Sequence, residues 1–215
     1  MQESGQKKHM PKHVPDWSFE ALYNGPVCGV DEAGRGPLAG PVVASAVILC
    51  FDNLPDGLND SKALSASARE HVLNDILAKA RVSIGIAEPE EIDRINILAA
   101  SMAAMQRAVT GLGGAPIAAL IDGNRAPELE VPAQTIVKGD AKSLSIAAAS
   151  IVAKVTRDRL MARADGRFPG YGHSGHKGYP TRAHREFLAA NGPSPLHRFS
   201  YAPVKAAALE FGLVE

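Results

Sequence analysis

Residues Pro41–Leu49 read PVVASAVIL, apolar at nearly every position. A strand with that pattern offers no face to water, so both of its faces are expected to be covered. Val27–Asp31 (VCGVD), Val82–Ala87 (VSIGIA), Ile117–Asp122 (IAALID) and Ala133–Lys138 (AQTIVK) read as four further strands. Ser65–Ala80 carries Leu73, Ile76, Leu77 and Ala80 at helical spacing, with Ser65 or Ser67 as N-cap. Pro89 suits a first helical position, with Glu90 and Glu91 in the positive first turn. Ile92, Ile95, Ala99, Met102, Gln106 and Val109 then recur at steps of three and four until Gly111, and Met102 and Met105 fit the core-facing side. The Ala-rich run Ser145–Ala164 predicts another long helix. The remainder, rich in Gly, Pro, His and Arg, reads as loop until a short helical end near Val204–Phe211. The first two strands, joined by a tight glycine turn, are predicted antiparallel; helices separate the later ones, which leaves parallel pairing open to them. The expectation is an α/β protein with a five-stranded mixed sheet flanked by helices and a C-terminal helical extension.

Composition sets the limits. Apolar residues make up 46% and charged residues 21%, as in a soluble globular protein, and only 5% is aromatic, so the core rests on Ala, Val, Ile and Leu. No apolar run approaches the ~18 residues of a membrane span. The N-terminus has basic residues but no apolar stretch behind them, so it is not read as a secretory signal. Cys28 and Cys50 both lie in apolar runs and are expected to be buried, reduced thiols. The net charge is +0, but residues 138–205 hold 12 Lys and Arg against 4 Asp and Glu, while residues 1–137 hold 11 against 17. A basic C-terminal third beside an acidic remainder suits a polyanion partner with carboxylates nearby.

The stretch VCGVDEAGRGPLAGPVV (Val27–Val43) ends a strand on two adjacent acids and follows them with three glycines. Gly34, Gly36 and Gly40 are spaced G-x-G-x-x-x-G, and the next segment is strand-like, so no helix N-terminus follows to receive a dinucleotide pyrophosphate. Gly34 and Gly36 instead allow positive φ and close backbone approach to a bound group, and Arg35 between them suits a phosphate oxygen. Neighbouring strand residues face opposite sides, so Asp31 and Glu32 are expected to converge only if the strand breaks there. Asp122 closes the fourth strand, and Asp140 follows Gly139 just past the fifth. Acids gathered at strand ends would repel and resist ionisation, a conflict that Mg²⁺ or Mn²⁺ resolves through oxygen ligands. His173, His176, His184 and His197 lack a helical metal-binding pair and are read as surface or hydrogen-bonding residues.

DEAGRGPLAGPV (Asp31–Val42), NDSK (Asn59–Lys62), IDG (Ile121–Gly123), KGDAKSLSIAAASIVAKVTRD (Lys138–Asp158) and YGHSGHKGYPT (Tyr171–Thr181) occur in order. From about Pro15 to Val204 the chain resembles bacterial ribonuclease HII. The resemblance implies a ribonuclease H-like catalytic domain over residues 16–165, preceded by a flexible tail at 1–15 and followed by a basic loop and helical extension at 166–215. It implies a metal-dependent endonuclease, monomeric and cytoplasmic, that cuts the RNA strand of RNA–DNA hybrids and cuts 5′ of single ribonucleotides in duplex DNA, for DNA repair and primer removal. Asp31, Glu32, Asp122 and Asp140 match the family's catalytic metal ligands, Gly34, Arg35 and Gly36 its ribonucleotide-sensing turn, and Tyr179 (or nearby Tyr171) its sugar-packing tyrosine. Two Mn²⁺ or Mg²⁺ ions are expected to hold the scissile phosphate, leaving 5′-phosphate and 3′-hydroxyl ends. Lys62, Lys142, Lys177, Arg182 and Arg185 are candidate phosphate contacts. His173-Ser174 departs from the family, which commonly has an aromatic after Tyr-Gly. A superfamily recombinase would leave the Gly-Arg-Gly turn idle, and a non-catalytic binding module would not need all four acids.

Overall fold

A computed structural model describes residues 14–59, 61, 64–114 and 116–214; most of the expected N-terminal tail, and Lys62, lie outside them. The strands β1 (Val27–Ala33), β2 (Val42–Ile48), β3 (Arg81–Ala87), β4 (Ala118–Asp122) and β5 (Ala133–Ile136) form one sheet in the order β3-β2-β1-β4-β5. β1 pairs antiparallel with β2 and parallel with β4, and β4 pairs parallel with β5. β3 is antiparallel to β2 although a helix, α1 (Ala66–Lys79), connects them.

All seven residues of β2 are buried, as its composition requires. Its pleat sends Val42, Ala44, Ala46 and Ile48 toward α2 (Pro89–Thr110), where Ala100, Ala104, Met105 and Ala108 meet them. Val47 faces the other way, onto α1 and onto Ala148, Ala149, Ile151 and Val152 of α3 (Leu144–Arg167). Ser45 shares that side and donates its hydroxyl to the Ala149 carbonyl at 2.7 Å. Close approach depends on glycine at one point on each face. A Cβ on Gly29 would stand 2.0 Å from the Ser145 carbonyl carbon, and one on Gly85 would stand 2.0 Å from the Ala104 oxygen. Buried Glu20 ties the N-terminal segment to the start of α3 by accepting from the Ser143 hydroxyl and from the Ser145 N–H and hydroxyl.

The structure corrects several expectations. Asn96, with φ 66°, breaks α2 internally, and its side chain recaps the helix by accepting from the N–H groups of Leu98 and Ala99. The break shifts the phase of the buried stripe: Ala100, Ser101, Ala104, Met105 and Ala108 are buried, and Gln106 is exposed. Cys28 is buried but Cys50, just past the end of β2, is exposed; both are free. The segment read as loop before Val204 contains α4 (His173–His176) and α5 (Arg182–Asn191), ahead of α6 (Ala202–Glu210). Thr181 caps α5 through its hydroxyl, a start signal that the Gly and Pro around it obscured.

Three of the four histidines read as surface or hydrogen-bonding residues are not at the surface. His173, His184 and His197 are fully buried; His173 stacks on Tyr171, His184 stacks on His176, and His197 lies tilted against Tyr171 and His184. His176, His184 and His197 make ring hydrogen bonds, whereas neither ring nitrogen of His173 has a partner among the described residues. Burial, reinforced by the neighbouring imidazoles, lowers His173 from 6.5 to about 4 and His197 to about 3; burial also lowers His184. The unfolded chain therefore takes up protons near pH 6.5 that the folded one refuses, and stability falls as pH drops from there toward 3–4. The melting temperature is expected to decline between pH 7 and pH 4, and His173→Phe should make that decline shallower. An identical pH slope in the variant would overturn the account.

Candidate active site

Asp31 and Glu32 converge without the predicted break. β1 continues to Ala33, with Asp31 opposite Ser45 and Glu32 opposite Ala44 of β2. The pleat sends the two carboxylates to opposite sides at the end of the sheet. Asp31 turns toward α3, where Ser150 lines the cleft beside it and pairs its hydroxyl with Ser61 at 2.8 Å. Glu32 turns toward α2 and pairs with Arg35 at 3.3 Å. Asp122, at the end of the neighbouring parallel strand β4, completes the group. Its Oδ1 accepts from the Gly139 N–H at 2.7 Å.

These three acids line one cleft of about 400 Å³ together with Gly34, Arg35, Gly36, Ser61, Ser150, Lys154, Arg157 and Tyr179. A second depression of about 260 Å³ shares Glu32, Arg35 and Asp122 and is floored by Leu98, Met102 and Met105. Desolvation, then repulsion from Glu32 and Asp122, holds the Asp31 carboxyl well above its usual value. Burial also raises Glu32, though Arg35 opposes the shift. A hard divalent cation fits this donor set, because it relieves both the desolvation and the mutual repulsion.

The glycine loop between β1 and β2 is shaped by two buried guanidinium groups that spacing arguments overlooked. Arg198 donates to the carbonyls of Gly34, Arg35, Pro37 and Gly40. Arg157 donates to those of Ala39, Pro41 and Lys177. In a trans peptide the C=O and N–H point in opposite directions. With the Gly34 and Arg35 carbonyls held inward, the N–H groups of Arg35 and Gly36 turn outward, and among the described residues nothing accepts from them. Gly34 has φ 101°, as predicted; Gly36 does not have positive φ, and a Cβ on it would make ordinary van der Waals contact, at 3.6 Å, with the Tyr179 ring.

Tyr179 lines the cleft, while Tyr171 packs on His173 and Phe187 and donates to the Gly192 carbonyl. Asp140 is buried in the single 3-10 turn Gly139–Ala141 after β5, adjacent to the glycine that holds Asp122, and is not part of the cleft wall. Lys142 and Lys177 do not line the cleft either; Lys177 donates its ammonium to the Ser174 carbonyl. Arg182 pairs with Glu186, and Arg185 donates to the Pro180 carbonyl, both at exposed positions. Ser61, Ser150, Lys154 and Arg157 belong to the site and were not singled out from sequence. Ser150 and Arg157 lie on one α3 stripe, a signal that becomes readable only once the strand beneath is known.

Comparison with known proteins adds to this geometry. The family model described as Ribonuclease HII matches residues 28–204. The chain is 61% identical over 182 residues to a ribonuclease HII of Magnetococcus marinus, covering 83% of this chain and 85% of the relative. It is 53% identical over 215 residues to one from Parvibaculum lavamentivorans, covering 97% and 80%. The crystal structure of ribonuclease H2 from Pyrococcus horikoshii superposes with a TM-score of 0.74 at 26% identity, covering 87% of this chain and 99% of that one.

The loop geometry predicts two losses of stability. Arg198→Lys should lower unfolding free energy by more than about 2 kcal/mol, since one ammonium cannot satisfy carbonyls spread over seven residues. Gly34→Ala places a Cβ 2.1 Å from the Arg157 Nε at positive φ and should also destabilise. Denaturant melts test both, and unchanged midpoints would refute the clamp.

Proposed function

The chain belongs to the ribonuclease HII family, with its ribonuclease H-like fold and its hydrolysis of RNA–DNA hybrids, and from that premise we propose that it also cuts 5′ of single ribonucleotides embedded in duplex DNA. One observation carries the reading: the carboxylates and the outward N–H groups of the glycine turn share a cleft. A ribonucleotide within DNA differs from its neighbours only by its 2′-hydroxyl. The Arg35 and Gly36 N–H groups donate to that oxygen, and a deoxynucleotide leaves them unpaired. An unpaired polar group in a closed contact costs about 1–3 kcal/mol, which gives the turn its discrimination.

The Tyr179 ring, beside Gly36, packs on the sugar past the junction and fixes the register of the backbone. Asp31, Glu32 and Asp122, with Asp140 from the adjoining turn, hold Mn²⁺ or Mg²⁺, two ions during turnover. Ions bound there supply a water of lowered pKa and neutralise charge on the phosphodiester, giving 5′-phosphate and 3′-hydroxyl ends. Ser150 lies beside Asp31 in the cleft, and the Gly139 N–H keeps Asp122 turned toward it. Arg35 and Lys154 at the cleft offer positive charge to flanking phosphates. In the cell this chemistry serves removal of misplaced ribonucleotides and of replication primers.

The test is a duplex carrying one ribonucleotide, incubated with Mn²⁺, with Mg²⁺ or with a chelator, the cut being mapped at nucleotide resolution. Cleavage is expected on the 5′ side of the ribonucleotide, only with added ion, and Asp31→Asn or Asp122→Asn should lower it on the order of 100-fold or more. Equal cutting of an all-DNA duplex would favour a different nuclease of the same fold. Full activity in Asp31→Asn would remove the catalytic assignment.

A further inference from the structure

Tyr179 sits in a turn of strained backbone: Lys177 has φ 54° and Gly178 has φ 82°. Such a conformation persists only where its surroundings over-determine it. The Lys177 carbonyl accepts from Arg157, the Gly178 carbonyl accepts from the Leu38 N–H, and the Gly178 N–H donates to His176 Nδ1. The Tyr179 N–H donates to the His176 carbonyl at 2.9 Å, and the Tyr179 carbonyl accepts from the Thr181 N–H at 2.8 Å. A chain of imidazoles adds a side-chain hold on that same carbonyl. We infer that His184, oriented by His197, is the positioning residue that sets Tyr179 against the glycine turn.

The tautomers follow from the contacts. The Ser194 N–H donates to His197 Nδ1 at 3.0 Å, so that nitrogen carries no hydrogen and His197 Nε2 does. His197 Nε2 lies 3.0 Å from His184 Nε2 and donates to it. The hydrogen of His184 therefore sits on Nδ1, 2.9 Å from the Tyr179 carbonyl. Each ring fixes the next, and the final donor points at the backbone of the residue whose side chain lines the cleft. The His176 ring stacks on His184 at 4.2 Å and 9°, which stops His184 from turning.

Ring nitrogens of His173, His176 and His184 lie within 4.8 Å of one another, a spacing that a metal ion would accept. Both nitrogens of His176 and both of His184 already hold hydrogen bonds, so their lone pairs are spent. The donor chain accounts for these contacts and a metal ion does not.

The inference rests on the proposed role of Tyr179, and its test has an arm that needs no catalysis. The protein has four tyrosines, so 3-fluorotyrosine labelling gives a readable ¹⁹F spectrum in which Tyr179→Phe assigns one resonance. His184→Leu keeps bulk but cannot donate; it is expected to shift or broaden that resonance with no nucleic acid present. His184→Gln can donate to the carbonyl and accept from His197, and should restore it. On a duplex with one ribonucleotide, His184→Leu and Tyr179→Ala should each lower kcat/KM on the order of 10-fold or more, and the double variant should be no worse than the poorer single one. Losses that multiply, a resonance indifferent to His184→Leu, or no recovery in His184→Gln would overturn the inference. Should His184→Leu fail to fold, His197→Leu is read in the same way. A wild-type protein that does not cut the duplex would refute the functional proposal, while the spectrum still decides the positioning role.

Discussion

Two guanidinium groups, buried without a carboxylate in hydrogen-bond contact among the described residues, hold the whole cleft in shape. Taking such an ion out of water costs several kcal/mol. Charge-assisted hydrogen bonds contribute about 1.5–3 kcal/mol each, and Arg157 and Arg198 make enough of them to carbonyl oxygens to offset that cost. The partners are all on the loop from Gly34 to Pro41 or on the Lys177 turn, apart from the Tyr201 hydroxyl. Burial, and then repulsion from Arg198, lowers Arg157 to about 10, which leaves it charged at neutral pH. The loop is thus a ring of carbonyl dipoles closed around two cations, and the ring dictates which way each peptide faces.

That orientation links the fold to recognition. Carbonyls committed to the interior leave N–H groups for the cleft, so selectivity for a hydroxyl follows from how the protein satisfies its own buried charge. The acids beside the loop obey a different constraint. Pairing through Ala33 keeps β1 straight, and the pleat separates Asp31 from Glu32 by placing them on opposite sides of the sheet end. A strand break would have let the two side chains meet directly. The continuous strand instead sets them astride its edge, with Asp122 on the next strand, so an ion held there would be gripped by backbone that the sheet has already fixed.

Much of the fold was legible because periodicity survives in these segments. The all-apolar run Pro41–Leu49 gave the two-sided burial of β2, and Ser65 stood where a cap was needed. The phase of α2 was not legible, since nothing in Ile95-Asn96-Ile97 distinguishes an asparagine on a helix surface from one at φ 66° recapping the chain. The acids and glycines at the site were readable because few other jobs suit them in that order. Arg157 and Arg198 were not, because a lone arginine in a basic segment looks like a solvated charge, and its partners are backbone atoms with no sequence identity. The burial of the clustered histidines, read as surface or hydrogen-bonding residues, was not legible for a similar reason: the helices α4 and α5 that carry three of them are short, and the Thr181 cap of α5 is hidden among turn residues.

The two polar networks inside the C-terminal part meet at the Lys177–Tyr179 turn, and their charge states are opposed. Arg157 must stay charged for its donors to hold the loop carbonyls. Burial, then the neighbouring imidazoles and last the Arg157 charge disfavour a proton on His173, with Asp165 opposing them. An imidazolium there would lie among other imidazoles in a poorly solvated interior, where repulsion is weakly screened. Neutral imidazoles escape the repulsion and keep one acceptor each, which is what a donor chain from Ser194 to the Tyr179 carbonyl requires. Arg157 therefore fixes the turn from one side, and burial keeps His184 and His197 in the protonation state in which they fix it from the other.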